Sequence, residues 1–207
     1  FYFDETTKIL YYHSKTAPPA DATVEALGHL KTIISIEGTQ QAPVKGVSVL
    51  GLGLRDAALS YLDAHSMPSG GDWGLGRIAA LFVKGTEETT VDSCTFEKLD
   101  GNAVLLNKYN RGATIQNSNF HEIGDNMIAQ LGETEGVPEA FGMGWDGTKG
   151  DQPRGTRILN NFAYRCGLFE KQSSFYFQAK SCQNVIKNNI FFHGPRAGMN
   201  FNVRFAC

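Results

Sequence analysis

Two stretches of this chain concentrate side chains able to act on sugars. Residues 55–77 include Asp56, Asp63, His65, Asp72 and Trp73, and residues 130–155 include Glu133, Glu135, Glu139, Trp145, Asp146, Lys149, Asp151 and Arg154. Glycoside hydrolysis normally uses two carboxyl groups, one of them kept protonated as the acid. Asp125, Asp146 and Asp151 lead as candidates for that chemistry, with Asp72 behind them. Asp125 follows Gly124 at a turn whose other copy carries Gly101, so the turn itself does not require the acid, and its side chain is expected to face outward. The alternative chemistry is β-elimination from a uronide. It needs a base beside the carboxylate and a cation for the enolate-like charge. Lys171 and Arg196 are the candidates there, with His193 nearby because imidazole titrates near neutral pH. Trp73 and Trp145, the only tryptophans, stand one in each stretch and offer an apolar face with a polar N–H to a sugar ring. Tyr109 and Arg111 form a basic-aromatic turn suited to sugar or phosphate. Each residue also has a plainer role: a turn aspartate, a surface lysine, an arginine tying down a turn, or indoles folded inward as loop anchors.

Other chemistries lack their signatures. Four cysteines (Cys94, Cys166, Cys182, Cys207) show no CxxC and no histidine at zinc spacing. A Ca²⁺ site needs several converging oxygens. Asp146 and Asp151 could contribute, but no EF-hand or nonapeptide calcium repeat occurs, so no metal or cofactor is expected. There is no P-loop, dinucleotide fingerprint or serine elbow with supporting context. One basic-aromatic turn does not make a nucleic-acid surface. No Asn-x-Ser/Thr sequon is present.

With 207 residues and a net charge of −2, the chain suits one domain with a real core, and neither disorder nor global nucleic-acid steering. No apolar run approaches the ~18–20 residues that span a membrane. The sequence starts Phe1-Tyr2-Phe3-Asp4, without Met or a signal-peptide pattern, and reads as a processed product or a fragment. Residues 152–207 hold eight Lys/Arg against one acid, Glu170, while the first 104 hold 8 bases and 13 acids. That asymmetry fits either a solvated face or an anionic ligand near the C-terminal part.

The elements that must position these residues form a repeat. Thr90-Val91-Asp92-Ser93-Cys94-Thr95-Phe96-Glu97-Lys98-Leu99 is echoed 24 residues later by Thr114-Ile115-Gln116-Asn117-Ser118-Asn119-Phe120-His121-Glu122-Ile123. Aligned apolar starts fall at Val49, Val91, Ile115, Ile158 and Ile186, with Leu54, Phe96, Phe120, Ala163 and Phe191 five residues later. The spacings of 42, 24, 43 and 28 residues suit a coil of about three short strands, two copies carrying insertions. Asn117-Ser118, Asn160-Asn161 and Asn188-Asn189 recur in register. Asn tolerates the left-handed turn conformation, and stacked Asn side chains can also bond in ladders. Apolar residues in register build a core that no single coil could bury. The predicted fold is all-β, a right-handed parallel β-helix. Residues 1–42 form an N-terminal capping segment with a hairpin at Phe1–Tyr12, and residues 43–207 form coils with insertions at about 55–80 and 130–155. Both insertions follow a repeat start at similar phase, so they are expected on one side. Cys182 and Cys207, 25 residues apart, lie close to one coil and within disulfide reach if a further coil stacks.

Several segments carry a family resemblance. They are Lys31-Thr32-Ile33-Ile34-Ser35-Ile36-Glu37-Gly38, Pro43-Val44-Lys45-Gly46-Val47-Ser48-Val49, Pro68-Ser69-Gly70-Gly71-Asp72-Trp73, Gly150-Asp151-Gln152-Pro153-Arg154 and Gly194-Pro195-Arg196-Ala197-Gly198-Met199-Asn200. With the coils, they resemble the pectate-lyase-like β-helix superfamily of secreted proteins. The resemblance implies extracellular location and action on a neutral or acidic polysaccharide by hydrolysis or elimination, the latter with Arg or Lys as base and Ca²⁺ as electrophile in such enzymes. The same superfamily includes inert fibres and adhesins. A structural protein self-associating through open β-helix ends is therefore the alternative.

Overall fold

The structure is a computed structural model that describes residues 2–4, 6–11, 13–17, 19, 21, 29–66, 74–133 and 149–202. Asp72, Trp73, Trp145, Asp146 and Cys207 lie outside the described residues. The chain begins with an antiparallel hairpin, β1 (Tyr2–Asp4) and β2 (Ile9–Tyr11). Three parallel sheets then wind around one core.

The long sheet contains β3 (Ile34–Glu37), β9 (Ala79–Glu87), β12 (Asn102–Arg111), β15 (Ile128–Leu131), β19 (Tyr176–Ala179) and β22 (Met199–Asn202). Two short strands join it, β4 (Val44–Lys45) on β9 and β16 (Pro153–Arg154) on β12. The second sheet stacks β5 (Ser48–Leu50), β10 (Thr90–Asp92), β13 (Thr114–Gln116), β17 (Arg157–Leu159) and β20 (Val185–Lys187). The third stacks β6 (Gly53–Arg55), β11 (Thr95–Leu99), β14 (Asn119–Ile123), β18 (Phe162–Tyr164) and β21 (Ile190–Phe192). A separate antiparallel pair, β7 (His65–Ser66) and β8 (Leu75–Gly76), lies in the first insertion. This is an all-β parallel β-helix, and no helix occurs among the described residues.

The sequence repeat is the strand register. Val49, Val91, Ile115, Ile158 and Ile186 are direct neighbours down the second sheet. Leu54, Phe96, Phe120, Ala163 and Phe191 are neighbours down the third. Alternate residues of a strand face one side, so both columns point inward together. The Phe96 and Phe120 rings stack at 4.8 Å with no exposed surface. Where Ala163 leaves the column short, Phe175 stacks on Phe191 at 5.0 Å.

Both expected uses of the paired Asn occur, on different members of each pair. The first residue takes the left-handed turn: Ser93, Asn117, Asn160 and Asn188 have φ of 55, 52, 56 and 58°. The second makes the ladder. Ser118 Oγ accepts from Cys94 N–H (3.1 Å), Asn161 Oδ1 from Ser118 N–H (3.0 Å) and Asn189 Oδ1 from Asn161 N–H (2.9 Å). A second ladder runs through Asn102, Asn126 and Ser174 where the third sheet turns into the long one.

The insertions do not share a side, contrary to the expectation from their phase. The first leaves between β6 and β9, where the third sheet turns into the long sheet. The second leaves between β15 and β17, where the long sheet turns into the second. Counting from a repeat start cannot separate these corners, because it does not show which strand of the coil the extra residues follow. The two insertions therefore border opposite edges of the long sheet. Its outward residues Leu105, Ala129, Leu131, Phe177 and Ala179 form a second buried cluster with Leu75 of the first insertion.

Candidate functional site

The edge of the long sheet nearest the second sheet carries a polar groove of about 490 Å³. Its walls are the Gly38–Gln41 turn, Lys84 and Gly85 of β9, Lys108 and Tyr109 of β12, and Lys149 and Asp151. The local cause is a bulge in β12. Pairing with β9 shifts register between Asn107 and Asn110, and Lys108 takes a left-handed conformation (φ 57°). A bulge leaves a residue outside the ladder and re-aims its side chain. Here the Tyr109 N–H is donated to Asp151 Oδ1 at 2.9 Å, and Lys108 Nζ reaches Glu133 Oε1 at 2.7 Å. In β9 the equivalent left-handed position is Gly85 (φ 64°). A Cβ there would stand 2.1 Å from the Gly38 carbonyl group, so only glycine lets the turn approach.

A charged frame surrounds the groove. Arg111 lies over the Tyr109 ring at 4.2 Å and donates to Gly150 O (2.8 Å) and Gln152 O, tying the second insertion to the coil. Tyr109 donates its hydroxyl to Glu87 Oε1 (2.7 Å), which also pairs with Lys45 (2.7 Å). The Lys45 and Tyr109 hydrogen bonds hold the Glu87 carboxyl below its ordinary range, and the Glu87 bond raises the Tyr109 phenol. Lys84 pairs loosely with Glu37 at 3.5 Å. Behind the groove Arg77 donates to Asn107 Oδ1 and to Gly132 O at 3.4 Å. Burial pushes its guanidinium down to about 10, against the opposing pull of Glu133 and Asp151. Burial also lowers Lys180, helped by Arg77. The edge thus gathers flexible ammonium donors, a tyrosine and the amides of Gln40 and Gln41 beside the Asp151 carboxylate.

Of the residues singled out from the sequence, Tyr109, Lys149 and Asp151 meet in this groove. Asp125 does not join them. Its neighbour Asn126 bonds Asn102 at the start of β12, while Asp151 bonds Tyr109 seven residues on, roughly 20 Å at strand rise. Asp125 is also buried, not outward as expected: it is 4% exposed. Gly167 N–H bonds its backbone carbonyl (3.2 Å) and Ser173 Oγ its Oδ1 (2.7 Å), because the long turn after β18 closes over it. Burial pushes its carboxyl up to about 6, opposed by the Ser173 bond.

Lys171 lies in that turn and donates to Gly167 O (3.0 Å) and Leu168 O (2.9 Å), fastening its own loop. The following turn touches it, since a Cβ on Gly167 would meet the Pro195 ring. That following turn carries an exposed His193 (φ 56°) packed edge-on against Phe192 at 4.8 Å. Arg196, also in it, lines a small apolar pocket of about 190 Å³ with Cys166, Phe175 and Phe191. Lys171, His193 and Arg196 thus sit at the corner opposite the groove. Cys182 is disulfide-bonded, and Cys94 and Cys166 are free thiols. Among the described residues no three His, Cys, Asp or Glu side chains are grouped to hold a metal ion. No described helix is long and apolar enough to cross a membrane.

Lys84 and Gln40 are not among the candidates read from the sequence, and Lys108 enters there only as part of the basic-aromatic turn Lys108-Tyr109-Asn110-Arg111-Gly112. The 24-residue spacing of Lys84 and Lys108 was a partial signal, since the register pairs Lys84 with Asn107 and the bulge brings Lys108 in beside it.

Fold and groove together define an all-β parallel β-helix with a lysine-rimmed edge site. In comparisons with known proteins, no family model, curated protein or solved structure matches the chain.

Proposed function

We propose that this chain is an extracellular polysaccharide-binding β-helix protein of the pectate-lyase-like kind, holding an acidic glycan along the groove beside β12. The observation that carries this reading is the meeting of Lys84, Lys108 and Lys149 with Tyr109 and Asp151 in one groove of about 490 Å³. Ammonium groups on flexible stems suit carboxylates spaced along a chain. Tyrosine supplies an apolar face with a polar tip, and amides match sugar hydroxyls. Binding is favoured over cleavage because Asp151 is the one carboxylate among the described lining residues, and its Oδ1 is already engaged.

Calorimetry with uronic-acid and neutral oligosaccharides of equal length tests this. Uronate oligomers should bind, with affinity falling as salt rises. Lys108→Ala and Lys149→Ala should each weaken binding about tenfold, or 1.4 kcal/mol. Equal affinity for neutral oligomers, or retention of affinity in both variants, refutes the proposal.

A second reading, self-association, is favoured by one observation. In the last described coil, Met199 and Phe201 are 39% and 59% exposed, although their register neighbours Tyr176 and Gln178 are buried. Sedimentation at rising concentration tests it, and a monomer throughout eliminates it.

A further inference from the structure

The inward columns of the later coils trade large side chains for small ones near the turn after β21. Down the third sheet the column reads Phe96, Phe120, Ala163 and Phe191. Beside it, the residues leading into the long sheet read Ala103, Met127, Phe175 and Gly198, one step before the paired Val104, Ile128, Tyr176 and Met199. Ala163 leaves a ring out of its column, and Phe175 of the same coil supplies one. In the next coil Phe191 is large and Gly198 small, and a Cβ on Gly198 would run into the Phe191 ring. Phe191 therefore leans toward Gly198 and lies flat on Phe175, with centroids 5.0 Å apart and planes 7° from parallel.

The trade does not conserve volume. A pocket of about 190 Å³ remains among Met127, Ala163, Cys166 and the Phe175–Phe191 pair. Phe192, Gly194 and Arg196 also line it, and all three are exposed, so it opens to solvent at the turn. An apolar cavity of about 150 Å³ with aliphatic and aromatic walls holds one benzene. This pocket therefore admits a single substituted ring. Arg196 is the one charged group among its described lining residues. A guanidinium is a planar fork that matches a carboxylate. With five N–H donors it can take one on while keeping another partner. On the Cys166 side, the Asp125 charge already bears on the thiol, so an anionic group is disfavoured there and directed toward Arg196.

We infer that this pocket binds a single-ring aromatic carboxylate of the benzoate class, its ring against Ala163 and the Phe175–Phe191 pair and its carboxylate on Arg196 at the mouth. Three observations set that class: room for one ring, walls of aromatic and small apolar side chains, and a cation where the pocket meets solvent. The ring gains dispersion contacts with walls that are already fixed by the coil, since Met127, Ala163 and Phe175 are all 2% exposed or less. A neutral ring of the same size keeps those contacts and forfeits the charge-assisted bonds to Arg196. The site lies at the corner opposite the lysine-rimmed groove and shares no lining residue with it, so it does not depend on glycan binding there.

NMR of the methionine methyl groups in the folded chain tests the site with benzoate and its neutral analogue benzyl alcohol. Benzoate should shift the Met127 methyl signal saturably, and should bind about tenfold more tightly than benzyl alcohol. Arg196→Gln should remove that tenfold advantage and leave benzyl alcohol unchanged. Ala163→Leu puts a side chain into the pocket and should abolish the response to both compounds. A Met127 signal that benzoate does not move, equal affinity for the two compounds in wild type, or full benzoate binding by Ala163→Leu would overturn the site. The wild-type comparison decides it even if a variant does not fold.

Discussion

Replacing Asn161 by alanine should cost about 3–5 kcal/mol, although the same change at its neighbour Asn160 should cost only about 1 kcal/mol. Asn161 is 2% exposed. Its Oδ1 accepts the buried Ser118 N–H at 3.0 Å, and its Nδ2 donates to Ile115 O and Asn189 Oδ1, both at 3.0 Å. Alanine strands the Ser118 N–H, at about 1–3 kcal/mol for an unsatisfied buried donor, and removes two further bonds worth about 1 kcal/mol each net. Asn160 is exposed, with φ 56° and one long contact to Asn117 at 3.4 Å. Its replacement gives up only tolerance of the left-handed conformation, roughly 1 kcal/mol. Serine at 161 should restore part of the loss, because Ser118 fills the same place one coil earlier and accepts from Cys94 N–H at 3.1 Å. Urea unfolding followed by circular dichroism measures all three variants. An Asn161→Ala loss no larger than that of Asn160→Ala would refute the ladder as the coil's main polar restraint.

Three other outcomes follow from the same geometry. Phe120→Ala should lose about 3–5 kcal/mol, read by the same unfolding experiment, since its ring is fully buried and stacked on Phe96 at 4.8 Å. The Asp125 carboxyl is raised from 3.8 to about 6, so its ionisation opposes folding. Its share of stability is greatest below about pH 4, declines between about 4 and 6, and is lower above that by about 3 kcal/mol at 1.36 kcal/mol per unit. Melting curves of Asp125→Asn should lack this decline, and an unchanged slope would show that the group is not desolvated. Alkylation of the denatured protein followed by mass spectrometry should modify Cys94 and Cys166 directly, and Cys182 only after reduction.

The scaffold was legible in the sequence because a solenoid repeats in sequence what it repeats in space. Val91 and Ile115 are one period apart and therefore direct neighbours, and so are Phe96 and Phe120. The Asn pairs announced both a turn and a ladder for the same reason. Spacing alone could not assign which Asn did which, since one residue of rotation exchanges the exposed position for the buried one.

What only the tertiary structure decided concerns residues that break the period. Asp125 looks like a solvent-facing turn acid until the turn around Gly167 and Ser173, 42 to 48 residues away, closes over it. His65 and Asp125, 60 positions apart in sequence, both lie beside Gly76 because an irregular insertion folds back onto the coil. The groove draws on four segments, and a one-residue bulge in β12 aims two of its side chains. Repetition encodes contacts at a fixed separation, and so the sequence by itself determined the coil. Insertions and bulges make contacts at no fixed separation, so their placement depends on where the folded chain brings them.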